Sequence, residues 1–183
     1  MLEVRFHGRG GQGVVMASRL LAEASVISNL YGTSFPMFGF ERRGAPVVSF
    51  CRLNDTPIRL KTQINNPDII VVLDAFQNES SDVWKGLKPT GIAILNSKIP
   101  FNKKINGSLK CISIVDAEKI SIEEIGMSMP NTAMIGAFAK ASKLIKYDAV
   151  IQVLKDSFSG NKLKANIKCF ERGFKETLIK NLQ

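Results

Sequence analysis

Residues 6–13, FHGRGGQG, place Gly8, Gly10 and Gly13 at the spacing GxGxxG, with Gly11 as a fourth glycine in the same turn. After a strand and before a helix, that spacing lets backbone N–H groups and a helix N-terminus approach a pyrophosphate. Arg9 and Gln12 lie between the glycines. The arginine can pair with phosphate or carboxylate, and the glutamine can orient a ligand or a neighbouring chain; both can equally be turn residues bonded to the loop at 35–46. A nicotinamide-binding turn also needs an acid about 20 residues on, at the end of a second strand, to hold the ribose hydroxyls. SNLYGTSFP (28–36) stands there and has no acid, and Glu41, the next acid, is followed at once by Arg42 and Arg43. A self-sufficient NAD or NADP site is therefore disfavoured. The glycines keep two readings: close strand–helix packing, or contact with an anionic group or a partner subunit.

A second stretch, FPMFGFERRGAP (35–46), sets Phe35, Met37, Phe38 and Phe40 beside Glu41, Arg42, Arg43 and Gly44. Aromatic residues interleaved with arginine on a glycine-rich loop have the composition of an interface core. Folding of the same aromatics back onto the sheet is the alternative.

Other chemistry has little material. The single histidine, His7, leaves no Ser-His-Asp set and no histidine metal site. Cys51, Cys111 and Cys169 are isolated and never form CxxC, which suits a reducing compartment and core positions rather than cluster or zinc ligands. Asp74 and Asn96 each end a strand, at the edge where open α/β sheets bind ligands, yet no second carboxylate, activated serine or lysine joins them. Asp74 reads as a cap for the following helix. The expectation is no catalytic residue and no metal site in this chain. The net charge of +9 comes from lysines scattered over the C-terminal half, without an aromatic platform, so a solvated basic surface is expected rather than a nucleic-acid site.

The elements that must position these residues follow from periodicity. LEVRFH (2–7) reads as a strand, and Val14, Ala17, Leu20, Leu21, Ala24, Ile27 and Leu30 recur at helical spacing. Residues 31–46 read as a long loop, and 47–53 and 57–61 as an antiparallel pair around LNDT. DIIVVLD (68–74), GIAILN (91–96) and CISIV (111–115) are apolar runs suited to parallel strands covered on both faces. Helices are expected over 75–87, over 131–145 with Asn131 as N-cap, and over 147–158 and 166–181. The 183 residues, 45% of them hydrophobic, suffice for one domain. The pattern predicts an α/β fold: a three-layer α/β/α sandwich with a mostly parallel, Rossmann-like sheet and an antiparallel insertion. The longest apolar run is too short to cross a bilayer and the N-terminus has no stretch of signal-peptide length, so a cytoplasmic protein without membrane contact is expected.

HGRGGQGVVMASRLLAEAS, FPMFGFERRGAPVVSFCRL, NPDIIVVLD and MPNTAMIGAFA, in this order, resemble the gamma subunit of pyruvate and related 2-oxoacid:ferredoxin oxidoreductases. The likeness runs over nearly the whole chain. It implies a subunit of a complex that converts an oxoacid and coenzyme A to acyl-CoA and carbon dioxide, passing electrons to ferredoxin. Thiamine diphosphate, with Mg2+, would be held by alpha and beta partners and [4Fe–4S] clusters by beta and delta-type subunits, with none of these bound by this chain alone. By the same likeness Gly8, Arg9, Gly10, Gly11, Gln12 and Gly13 form one block and Glu41, Arg42, Arg43 and Gly44 another. The two are expected to meet and to face the catalytic subunits, with Arg9 near the anionic end of coenzyme A. ERRGAP looks more like the pyruvate and branched-chain members than the 2-oxoglutarate members, where EVRGG is usual, and this favours pyruvate.

Overall fold

Strand β1 (Leu2–Arg9) has neighbours of opposite sense on its two sides, and the layout of the sheet follows from that. The computed structural model describes residues 1–37, 44–98 and 109–182. In chain order β1 is followed by α1 (Val14–Ile27), β2 (Tyr31–Pro36), β3 (Pro46–Asn54) and β4 (Ile69–Val72). A 3-10 helix (Ala75–Glu79), α2 (Ser81–Trp84), β5 (Ile92–Asn96), β6 (Cys111–Val115) and α3 (Ala117–Ile125) come next, then α4 (Asn131–Ser142), α5 (Tyr147–Ser157), α6 (Gly160–Glu176) and β7 (Leu178–Asn181). The seven strands lie in the order β2-β3-β1-β4-β5-β6-β7. β1, β4, β5 and β6 run parallel, while β3 pairs antiparallel with both β1 and β2, and β7 pairs antiparallel with β6. The fold is α/β, on a mixed sheet.

Alternation along the strands divides two cores. Val4 and Phe6 of β1, Val47, Cys51 and Leu53 of β3, and Ile69 and Val71 of β4 face a layer of α1, α3, α4, α5 and α6. α4 lies at the centre of this layer and is buried from Asn131 to Ala139, as the apolar run NTAMIGAFA requires. It meets α6 at glycines: a Cβ on Gly136 would strike the Phe170 carbonyl, and one on Gly173 would strike the Ala133 backbone. Backbone approach this close excludes every larger residue.

The opposite face is covered by shorter pieces. Ile70, Val72, Ala93 and Leu95 pack against Val83, Leu109, Trp84 and Leu87. On the β1–β3 side the same face is polar and stitched by arginine. Arg5 donates to the carbonyls of Ile64, Asn65, Val83 and Lys85, and its Nε to His7 Nε2 at 2.9 Å. Arg52, 2% exposed, donates to Glu3 Oε1 at 3.0 Å and to the Leu60 carbonyl. The buried guanidinium groups of Arg5 and Arg52 thus find acceptors, which a low-dielectric face demands.

Several elements differ from the sequence expectation. Residues 31–36 form β2 rather than loop, because β3 offers a free edge with which all six residues register. Residues 57–61 are not a strand; the Leu60 carbonyl accepts from Arg52 instead. The span 75–87 is one 3-10 turn and one α turn, since Asn78 turns inward to the Asn96 carbonyl and breaks a regular helix. α3 went unforeseen, and residues 178–181 are an edge strand rather than the end of a helix. Asn131 is the first residue of α4, not its N-cap; Pro130 takes that place.

Gly173→Ala is expected to lower the unfolding free energy by about 1–3 kcal/mol, read from chemical denaturation, because α6 must move off α4. An unchanged midpoint would mean the two helices can separate freely. His7 supplies a pH test. Burial first, and then the Arg5 charge, push its imidazole down to about 3 from the ordinary 6.5. The folded chain keeps the ring neutral where the unfolded chain protonates it, so its contribution to stability is complete above pH 6.5 and is lost as the pH falls toward 3. His7→Gln, whose amide oxygen can still accept from Arg5, should show a shallower loss of stability across that window than the parent chain. Equal slopes would contradict a buried neutral imidazole.

Candidate functional site

The glycine turn sits at the C-terminal end of β1, where the sheet changes from antiparallel to parallel neighbours. Open α/β sheets bind ligands at such switch points. Gly11 and Gly13 have φ of 100° and 76°, a region that L side chains avoid, so glycine is required at both. A Cβ on Gly13 would also collide with the Asn131 side chain. The turn nevertheless spends much of its backbone within the chain. The Arg9 N–H donates to Gln12 Oε1 at 2.8 Å, the Gln12 N–H to the Arg9 carbonyl, and the Gly10 N–H to the Ala45 carbonyl at 2.9 Å. The Gly10 carbonyl in turn accepts from the Gly44 N–H at 3.1 Å. The β1–β3 ladder therefore continues through the turn and joins the first glycine block to the end of the second.

Arg9 projects from this turn, with its Nε on Asp74 Oδ2 at 2.6 Å. Asp74 is 3% exposed and makes no capping bond to the 3-10 helix that it precedes, so it anchors the guanidinium rather than capping as expected. The Arg9 side chain is 46% exposed, and among the described residues its terminal nitrogens have no acceptor. That is the posture of an arginine oriented by one carboxylate and open to a second anion. Gln77 fixes the same corner by donating to the Gly8 carbonyl. Asn96 ties the end of β4 to α3: its Nδ2 donates to the Leu73 carbonyl and its Oδ1 accepts from the Ala117 and Glu118 N–H groups. Arg9, Gln12, Asp74, Phe76, Asn96 and Glu118 line a cavity of about 440 Å³ at this sheet edge.

On the other side of the turn lies a second cavity, of about 360 Å³, at the start of α1. α1 opens on Gly13 with no side-chain cap and no acid in its first turn, which leaves its first amides and the positive end of its dipole unneutralised. Asn131, at the start of α4 and 2% exposed, borders the same space beside Met129 and Phe158. Sequence reasoning treated Asn131 as a cap and gave no sign that its side chain packs against Gly13.

Of the expected interface residues, Phe38, Phe40, Glu41, Arg42 and Arg43 lie outside the described residues. Phe35 is half-buried on β2, 5.3 Å from the Phe50 ring and 5.5 Å from the Arg52 guanidinium carbon. Gly44 has φ 83° and bonds to the glycine turn. Phe76, at 84% exposure, carried no sequence signal beyond its apolar type.

The three thiols stand on β3, β6 and α6, and each is buried. Burial pushes the Cys51 thiol far above its ordinary range and Cys169 up to about 12. Protonated thiols on separate elements do not make a ligand set for an iron–sulfur cluster, and no group of three metal-ligating side chains occurs among the described residues. None of the described helices is long and apolar enough to cross a membrane.

A family model described as pyruvate ferredoxin/flavodoxin oxidoreductase matches residues 3–176. The chain is 47% identical over 182 residues to the pyruvate/ketoisovalerate oxidoreductases common subunit gamma of Pyrococcus abyssi, with 98% of each chain covered. It is 41% identical over 176 residues to the pyruvate synthase subunit PorC of Methanothermobacter thermautotrophicus, with 96% of each covered. The crystal structure of pyruvate oxidoreductase subunit PORC from Thermotoga maritima superposes with a TM-score of 0.86 at 32% identity, again over 98% of each chain. Likeness of this extent, carried by one continuous alignment, settles the family: the chain belongs to the pyruvate ferredoxin/flavodoxin oxidoreductase family.

Proposed function

We propose that this chain acts as the gamma subunit of a heteromeric 2-oxoacid:ferredoxin oxidoreductase, a complex that forms acyl-CoA and carbon dioxide, with alpha, beta and delta-type chains as partners. Thiamine diphosphate, Mg2+ and [4Fe–4S] clusters belong to those partners, in keeping with the buried, separated thiols here. This chain contributes assembly and a hold on coenzyme A in the cytoplasm. The observation that carries the reading is Arg9. Its Nε is fixed by Asp74 while its terminal nitrogens reach outward, beside a helix N-terminus that has no cap.

Coenzyme A bears phosphates at one end and a reactive thiol at the other. A guanidinium oriented from behind by a carboxylate binds phosphate without first being ordered, and the α1 amides add a second set of donors. The amides of Arg9, Gly10 and Gln12 are already satisfied within the chain, so the side chain, not a cradle of turn amides, makes the main contact. Gly8, Gly10, Gly11 and Gly13 permit the turn that presents it.

Pyruvate is the proposed oxoacid, with branched-chain 2-oxoacids as the alternative. A relative shared by pyruvate and ketoisovalerate enzymes supports assigning the choice between them to the catalytic chains rather than to this one.

In the assembled complex, Arg9→Ala is expected to raise the KM for coenzyme A about tenfold or more, with kcat and subunit content retained, in a viologen-reduction assay. An unchanged KM would remove the ligand role and leave the turn an assembly feature only.

A further inference from the structure

A third cavity, of about 500 Å³, opens on the thinly covered sheet face. His7 and Arg5 form its floor, Val48 and Phe50 one wall, and Met37 and Phe76 stand at its rim. Two features of this cavity have no partner among the described residues. The first is His7. Its Nε2 accepts from Arg5 Nε, so the neutral ring must carry its hydrogen on Nδ1. No described residue accepts from Nδ1, although the ring is only 6% exposed. Arg5 behind it is bonded to four carbonyls and this ring, with no carboxylate among its partners. The floor is therefore a hydrogen-bond donor backed by a buried positive charge; Asp82, a carboxylate on the same lining, bonds neither Arg5 nor His7, and the group that satisfies both is a carboxylate seated on Nδ1.

The second feature is the rim. Phe76 is 84% exposed and Met37 44% exposed, side by side with this polar floor. A small carboxylate could fill the floor but would leave both apolar side chains in water. Covering them takes a polypeptide surface. A second copy of this chain fits poorly, since two chains of net charge +9 would meet with Arg5 and Arg9 on both sides.

We propose that this cavity is the docking site for a loop of a partner subunit, which seats an Asp or Glu carboxylate on His7 Nδ1 while its apolar residues cover Phe76 and Met37. The inference rests on the subunit reading above and names the surface by which the chain is held. Phe76 also borders the cavity that contains Arg9 and Asp74, so a loop docked here reaches the edge of the proposed coenzyme A site.

The test uses the full chain reassembled with its partner subunits. With Phe76 replaced by the photo-crosslinker p-benzoylphenylalanine, irradiation should join the chain to one peptide of a partner subunit that contains an Asp or Glu. Neutralising that acid should weaken assembly about tenfold. His7→Gln keeps an acceptor for Arg5 and a donor for the cavity and should assemble within a few-fold of the parent, whereas His7→Leu, checked for native circular dichroism, should lose tenfold or more. A crosslink only to another copy of this chain, no crosslink at all, or a folded His7→Leu variant that assembles like the parent would overturn the docking site. Failure of the parent chain itself to join the partners would overturn the subunit reading instead, so the two failures are distinct.

Discussion

The pairing of β1 with β3 is the constraint on which the rest depends. One strand satisfies an antiparallel neighbour and a parallel neighbour at once, and the antiparallel ladder runs past the strand end into the glycine turn through Gly10, Gly44 and Ala45. The turn is thereby fixed from two sides, by α1 leaving it and by β3 holding it. Glycine at 11 and 13 allows the left-handed backbone this needs, and Asn131 fills the space against Gly13. A turn held in this way does not reorganise to embrace a ligand. It presents side chains from a fixed position.

That rigidity explains how a nucleotide-binding outline can serve the subunit role proposed for this chain. Gln12 folds back onto the Arg9 amide, where an incoming phosphate would otherwise find a donor, and Asp74 spends its charge on Arg9 rather than on a reacting proton. Asn96, at the next strand end, is consumed in joining β4 to α3. The sheet edge where a self-contained enzyme would gather its catalytic groups is occupied by groups that hold one another. Among the described residues at this edge, Arg9, the uncapped start of α1, and the apolar rim at Phe76 and Met37 face outward. Under the proposed function, all are features that acquire meaning against another molecule.

The parallel strands were legible in the sequence because burial on both faces demands unbroken apolar runs, and IIVV of β4 is entirely buried. The glycine turn was legible for a related reason: few residue types tolerate its backbone. Edge elements were not. β2 has intermediate burial through most of its length and contains Gly32, which looks like a loop marker but exists because a Cβ there would strike Ala22 and Ser25 of α1. β7 is exposed throughout, so its LIKN carries no periodicity to set strand against helix. Within the site, Arg9 and Gln12 stood out by position. The roles of Asp74 and Asn131 depended on partners 65 residues distant in one case and on a packed glycine in the other, and no local pattern encodes either.

Hydrogen–deuterium exchange of this chain, alone and within the reassembled complex, tests the central claim most directly. The account predicts added protection in the complex over residues 8–13, 44–48 and 75–77, the turn, its β3 continuation and the Phe76 ridge, with the outer helices α5 and α6 little changed. Protection confined to α5 and α6, with the turn exchanging as in the free chain, would contradict it.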